Sequence, residues 1–296
     1  MTIGHIFHLI HVTGDLAELE AWYDDVFGVR RGFLDNHYLE DEKRDASLVV
    51  LGDVVIEPLA PAFREEGWED YPLGRFYRRF GNHWHSIAWY CEDDIALWHQ
   101  LQSNGIRILG EAADQPPSED PVPIFTHPND TVTQLEFLPT RMAITGLDPR
   151  FKPDFDPQWW RTNHPLGLHG MAYTTVLTRD LRRATHTYTT VLGGTVVGQS
   201  SSALTGTDDV YIRIGHSLVQ LSIPNRGGTL AADDLAAHGE MHHAVCFRVD
   251  DLDRAEDYLR SKEIKTVARD DHTILTDPDT THGAPFRFTC PAPGAA

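Results

Sequence analysis

Cysteine is scarce in this chain, with three in 296 residues at Cys91, Cys246 and Cys290. Three cannot all pair, none of them has the spacing of a zinc-binding pair, and their places in strand-like runs point to buried thiols in a reducing compartment. Long apolar runs are missing too. No stretch approaches the roughly 18 apolar residues that cross a bilayer. The beginning, Met1-Thr2-Ile3-Gly4-His5, puts no basic segment ahead of an apolar one, so no secretory signal is expected and a cytoplasmic location is. Basic residues are outnumbered, 25 Lys and Arg against 44 Asp and Glu, for a net charge of -19. Such a chain lacks the basic footprint that nucleic acid or an anionic membrane requires. Neither a Gly-rich phosphate loop nor a nucleophile elbow is present, and Gly227-Gly228 reads as a turn. The remaining profile, 41% apolar, is that of an enzyme-sized chain able to bury two cores of roughly 150 residues each.

What is there is a hidden fourfold repeat. His8, His85, Tyr173 and His243 each stand seven residues ahead of an acidic residue, respectively Asp15, Glu92, Asp180 and Asp250. Repeats on this scale settle the architecture before any local reading does. Around the reference position the residues alternate as in a half-buried strand, with Ile6, His8, Ile10 and Val12 on one face. The acidic residue then opens a helix. Asp15 precedes Leu16, Leu19, Trp22, Tyr23, Val26 and Phe27 at helical spacing, and Gly28 follows as a left-handed cap. The third copy repeats the scheme from Asp180 to Gly193-Gly194. β-rich runs come next, such as Ser47 to Leu51, a turn at Gly52-Asp53, and Val54 to Leu59. Each copy reads as a βαβββ module, so the fold class is α+β, with four modules arranged as two paired-module domains.

The interval between the second and third copies is stretched by Asp148-Pro149, Lys152-Pro153 and Asp156-Pro157, with Phe151, Phe155, Trp159 and Trp160 interspersed. The expected division is residues 1–145, a connector at 146–163 that packs through its aromatics, and residues 164–296.

A second repeated position lies on each module's last strand. It is Glu57, Glu136, Gln220 and Arg287 in turn. The first two modules therefore supply His8, Glu57, His85 and Glu136. Two carboxylates about 4 Å apart at an effective dielectric near 20 repel by roughly 4 kcal/mol, and a divalent cation removes that cost. Imidazole with carboxylate suits one ion of Zn, Mn, Fe, Co or Ni, and four such ligands leave up to two octahedral positions open. A lone strand histidine is ordinarily a hydrogen-bonded core residue. The metal reading rests on four ligand-capable residues falling at matching places in two copies and failing together in the other two. Tyr173, Gln220 and Arg287 make poor ligands, so the second half is expected to be metal-free and to cover the site, form the interface of a homo-oligomer, or bind something else. Trp89, two residues beyond His85, and His127, in the turn before the strand of Glu136, are candidate substrate contacts, with a core role for the tryptophan as the alternative. The basic run Arg75, Arg78 and Arg79 either receives an anionic substrate or pairs with Glu65, Glu66, Glu69 and Asp70.

The repeated unit, its Asp-Leu helix starts at Asp15-Leu16 and Asp180-Leu181, its Tyr and Gly markers and its paired His and Glu positions resemble the vicinal oxygen chelate superfamily, which includes glyoxalase, methylmalonyl-CoA epimerase, fosfomycin resistance proteins and extradiol dioxygenases. The resemblance covers nearly the whole chain. It implies glyoxalase-like domains with a metal held by His8, His85, Glu57 and Glu136, and a small oxygenated substrate whose enolate the metal stabilises. Glu136 or Glu57 would then serve as the base, as in a lyase, isomerase or epimerase. The same family admits an Fe(II) ring-cleaving dioxygenase with a triad of His8, His85 and Glu136, although in that group the triad usually lies in the second half. It also admits a metal-free sequestering protein.

Overall fold

Four aspartates open the four module helices, and each does so by the same hydrogen bond. In the computed structural model, which describes residues 3–29 and 32–290, the Asp15 carboxylate accepts Glu18 N–H at 3.0 Å, Asp93 accepts Ala96 N–H at 2.9 Å, Asp180 accepts Arg183 N–H at 2.9 Å and Asp251 accepts Arg254 N–H at 3.0 Å. These bonds satisfy donors that the first helical turn leaves without partners. Asp15 and Asp180 are the expected caps. In the second and fourth copies the cap is Asp93 and Asp251, one residue beyond the expected Glu92 and Asp250. The residues seven places ahead of the caps are therefore His8, Ser86, Tyr173 and Ala244. A slip of one residue matters in a strand, because it exchanges the two faces.

The first module runs β1 (Ile3–Val12), α1 (Leu16–Phe27), β2 (Gly32–Leu39), β3 (Arg44–Leu51) and β4 (Val54–Pro61). A helix α2 (Pro72–Phe80) leads to the second, β5 (His83–Cys91), α3 (Asp94–Ser103), β6 (Ile108–Leu109), β7 (Ile124–Thr126), the short α4 (Pro128–Thr131) and β8 (Gln134–Pro139). After α5 (Trp159–Asn163) the third comprises β9 (Leu168–Leu177), α6 (Leu181–His186), β10 (Thr195–Ser202), β11 (Thr207–Ile214) and β12 (Ser217–Pro224). Then α7 (Leu230–His238) precedes the fourth, β13 (Met241–Val249), α8 (Leu252–Ser261), β14 (Thr266–Arg269), β15 (Thr273–Thr276) and β16 (Phe286–Thr289). Strand, helix and three strands recur four times, as the repeat predicts. The α1 cap Gly28 has φ 59 and the β3–β4 turn Gly52 has φ 61, the left-handed values that favour glycine.

Two eight-stranded sheets result, ordered β2-β3-β4-β1-β5-β8-β7-β6 and β10-β11-β12-β9-β13-β16-β15-β14. Each sheet holds two modules, and the four strands bearing the repeat positions are consecutive at its middle. Within a module the first and last strands run parallel, Val219 facing Thr174 and Gln220 facing Thr175 in one case, Ala88 facing Glu136 in another. The same bond closes the first and third modules, Thr13 N–H to Leu59 O at 2.8 Å and Thr178 N–H to Ser222 O at 2.9 Å.

Contacts divide the chain into two compact units, and four of the five boundaries fall inside β1, β5, β9 and β13, the fifth between Leu147 and Asp148. One comprises residues 1–8, 85–147 and 173–243. In it Tyr188 OH donates to Thr131 O at 3.3 Å and Arg183 Nη1 to Asn129 O at 3.2 Å, joining the third module to the second. At Gly215, φ 55, a β-carbon would lie 2.0 Å from Gly4 O, so the β11–β12 turn admits only glycine. The other unit comprises residues 9–84, 148–172 and 244–296. Its core is aromatic: Phe27 lies 5.7 Å from Phe286 and 6.0 Å from Phe247 between ring centres, and Trp84 lies 5.3 Å from Phe286. The connector enters this core through Trp160, which is buried and donates Nε1–H to Phe27 O at 2.9 Å, whereas Phe151 is exposed. Cys91 and Cys246 are buried and Cys290 is partly exposed. Burial pushes the Cys91 thiol up to about 12. No helix among the described residues is long and apolar enough to cross a membrane.

Candidate active site

In the first unit, the side chains of His8 and Glu136 meet. Both are buried, and His8 Nε2 lies 3.1 Å from Glu136 Oε2. Strand register explains why. A β-carbon at Gly4 would be 3.9 Å from the Tyr90 β-carbon, so Gly4 of β1 stands opposite Tyr90 of β5. Residues at even positions along β1, His8 among them, therefore share a face with Tyr90, Ala88 and Ser86. The parallel ladder of β5 with β8, Ser86 to Gln134, Ala88 to Glu136 and Tyr90 to Leu138, brings Glu136 onto that same face.

His85 is one residue out of phase with this face. The position matching His8 in the second module is Ser86, and His85 reaches its hydroxyl, Nδ1 to Oγ, at 2.9 Å. The expectation that His85 mirrors His8 fails here for the reason given by the caps: the acidic run Glu92-Asp93-Asp94 starts its helix at Asp93. Seven places ahead of that cap stands a hydroxyl where the resemblance implied an imidazole.

Glu57 lies in the second unit and is buried. Its Oε1 accepts from Arg44 Nη1 at 3.2 Å, and Arg44 Nε also binds Glu42 at 2.7 Å. Glu57 and Leu59 lie on one face of β4, and Leu59 packs with Ile10, Val12, Ala46 and Leu73, so α2 covers the apolar part of that face. The two carboxylates thus each have a partner of their own, a guanidinium for Glu57 and an imidazole for Glu136. The like-charge argument for a cation loses force accordingly.

The expected substrate contacts, Trp89 and His127, each have partners within the protein. Trp89 is fully buried and stacks on Phe137 at 6.0 Å, in the core and not at a surface a substrate could reach. His127 caps α4, its Nδ1 accepting Asn129 N–H at 3.2 Å, and next to it Asp130 holds Arg107 through two bonds of 2.8 and 2.9 Å. Both candidates followed proximity in sequence, which does not show this packing or this capping bond.

In the second sheet Gln220, which matches Glu57, sits in a neutral network. Thr175 Oγ1 donates to Gln220 Oε1 at 2.7 Å, Gln220 Nε2 donates to Tyr211 OH at 2.9 Å, and the Tyr211 ring meets that of Tyr173 edge-on at 5.5 Å. Beside it the buried Asp209 accepts from Ser222 at 2.6 Å and Ser200 at 3.1 Å. Arg287 is buried beside Cys246 in the β13–β16 ladder. His243 is not aligned with Tyr173 but binds Asp234 of α7, as does His238. Asp234 and His238 fall outside the repeat. Their spacing of one helical turn was the sequence signal that could have found them.

The buried pair of His8 and Glu136 provides an imidazole and a carboxylate at hydrogen-bond distance, a combination that can exchange a proton or ligate a borderline divalent ion.

Residues 170–279 match the family model described as the Glyoxalase/Bleomycin resistance protein/Dioxygenase superfamily. Among solved structures, a mutant of 4-hydroxymandelate synthase from Streptomyces coelicolor shares the fold over 98% of this chain and 93% of its own, at 15% identity and a TM-score of 0.66. A methylmalonyl-CoA epimerase from Mycobacterium tuberculosis matches 43% of this chain and 90% of its own at 22% identity, with a TM-score of 0.40. No curated protein matches the sequence. With its four βαβββ modules in two eight-stranded sheets, the chain shares its fold with 4-hydroxymandelate synthase, and within it residues 170–279 resemble the Glyoxalase/Bleomycin resistance protein/Dioxygenase superfamily.

Proposed function

We propose that this protein is a metal-dependent enzyme that moves a proton on the carbon next to a carbonyl of a small oxygenated molecule, as a lyase, isomerase or epimerase does. The observation that carries the reading is the buried contact of His8 with Glu136. A carboxylate withdrawn from water and held by an imidazole is a positioned base, and positioned acid–base catalysis contributes about 100- to 10,000-fold. Glu136 takes the proton, and His8 Nε2 orients the carboxylate and accepts or returns charge as it changes protonation. Ser86, on the same face, offers a hydroxyl to a substrate oxygen.

The donor set fits a divalent ion in part: His8 and Glu136 are suitable ligands, while Ser86 replaces the second imidazole. A bound ion would supply Lewis-acid polarisation of the carbonyl oxygen. Glu57 belongs to the other unit, where Arg44 engages it.

A second reading, a binding protein that sequesters its ligand without metal, draws support from the Arg44–Glu57 pair and from Ser86. Elemental analysis of the protein purified without a His tag separates the two. The proposal expects one transition metal per chain, lost in Glu136→Gln and in His8→Gln, and no oxygen uptake with catechols. Metal-free wild-type protein favours the binding reading. Iron together with oxygen uptake would point to a ring-cleaving dioxygenase and overturn the proposal.

A further inference from the structure

We infer that β10 is a docking edge for a second copy of this chain, the two β10 strands pairing antiparallel about a two-fold axis. β10 ends its sheet, with β11 on one side and, among the described residues, no strand on the other. An unpaired edge presents a row of N–H and C=O groups that can template another strand, and proteins ordinarily blunt it with charge, irregular pairing or short length. The other three sheet edges are blunted in these ways. β2 carries Asp35 and two breaks in its pairing, β6 is two residues long, and β14 is four residues long with its Arg269 tied to Asp253 and Glu256. β10 is eight residues long and, in a chain of net charge -19, runs from Thr195 to Ser202 without one charged side chain. Its single irregularity lies at Val197, which leaves Gly198 to Ser202 in regular pairing with Tyr211 to Thr207.

The occupant has to suit a neutral, exposed strand. Residues on both faces of β10 are exposed, Val196 by 41% and Val197 by 47%. The carboxylates opposite it on β11 are already engaged, Ser200 donating to Asp209 at 3.1 Å and Ser201 to Asp208 at 2.7 Å. Two copies that each carry a net charge of -19 repel over most of their surface, and β10 is where they can meet without opposing like charges. Antiparallel pairing is also self-complementary: a strand turned by half a revolution about its own middle offers its copy the same groups that it receives. The edge is held before the copies meet, by the serine bonds to β11 and by Asn225, which donates to Ser201 at 3.2 Å and to Asp208 at 3.0 Å. Pairing therefore orders little additional chain. One strand from each copy buries less than the roughly 1,200 Å² at which stable interfaces begin, so the dimer is reversible at micromolar concentration.

Sedimentation of the full chain from about 1 to 200 µM tests this, with hydrogen exchange measured at both ends of the range. A monomer–dimer equilibrium is expected, with slower exchange at the higher concentration in the amides of Thr195–Ser202. Val197→Lys together with Gln199→Lys sets like charges on both strands and should weaken the dimer at least about tenfold, with an unchanged melting temperature at the lowest concentration. Mixing that variant with a Val197→Glu, Gln199→Glu variant should restore a dimer containing one of each, which misfolded protein could not form. A monomer at every concentration, a dimer that the lysines leave intact, or protection that falls outside β10 would overturn the inference. None of these outcomes depends on metal or turnover, so they are distinguishable from those that test the proposed function.

Discussion

The two sheets present the same four positions with opposite chemistry. On the first they are His8, Glu57, Ser86 and Glu136, and on the second Tyr173, Gln220, Ala244 and Arg287. The first set includes two buried carboxylates, each countered by its own partner: Glu136 by His8 and Glu57 by Arg44. In the second set Gln220 takes the place of Glu57 and is locked by Thr175 and Tyr211 through neutral hydrogen bonds. One backbone frame thus supports either ionisable groups that can change protonation state or a fixed amide that cannot. The proton chemistry proposed for the first sheet rests on this difference, and a chain of substitutions can break it.

The largest effect is expected at Glu136. Glu136→Gln keeps the shape and removes the base, and activity should fall about 100-fold or more, whereas Gln220→Ala should leave turnover within a few fold. Equal losses in steady-state assays would dissolve the contrast between the sheets. The next effect concerns pH. His11 of the first module is fully buried, its Nδ1 bound to Tyr23 OH at 2.8 Å and its Nε2 to His282 O at 2.9 Å, and burial lowers its pKa to about 3. The third module has Val176 at the matching place. A folded-state pKa below the unfolded value near 6.5 means that stability is fully present above pH 6.5 and is lost as pH falls towards 3. One proton over that window amounts to at most about 5 kcal/mol. His11→Val should flatten the fall of urea-unfolding stability between pH 6 and 4, and an unchanged slope would show that other groups govern acid unfolding.

Much of this was legible in the sequence because helix boundaries are chemically marked. Asp15, Asp180, Gly28 and the Gly52 turn each solve a local problem of unsatisfied N–H groups or positive φ, and the structure uses them as read. The register of the second and fourth modules was not legible. Glu92-Asp93-Asp94 and Asp250-Asp251 offer several acidic caps side by side, and only the hydrogen bond shows which one acts. That single residue decides whether His85 or Ser86 matches His8. Arg44 was hidden for a different reason: it reaches Glu57 across the β3–β4 ladder, a contact that exists only once strands are paired. Trp89 and His127 were chosen from adjacency, which shows neither the stacking of Trp89 on Phe137 nor the capping bond of His127.

Arg44 gives the next test in size. Arg44→Met leaves the buried Glu57 carboxylate without its guanidinium, and breaking such a pair costs about 3 kcal/mol. Denaturant unfolding measures the loss. Zinc then sharpens the result, since an ion able to take the place of the guanidinium would restore the stability, while a loss that zinc does not reverse keeps Glu57 out of metal binding.

The smallest effect probes the second sheet. Tyr211→Phe removes the hydroxyl that accepts from Gln220 Nε2 but keeps the ring against Tyr173. One neutral hydrogen bond is worth about 1 kcal/mol, so a modest drop in unfolding free energy with unchanged activity is expected. A Gln220→Glu change made alongside it puts the first sheet's carboxylate into the second. If that double variant gained a protonation-dependent stability that Tyr211→Phe alone lacks, the frame itself would tolerate ionisable chemistry at this position. The neutrality at Gln220 would then belong to its side chain and not to the backbone.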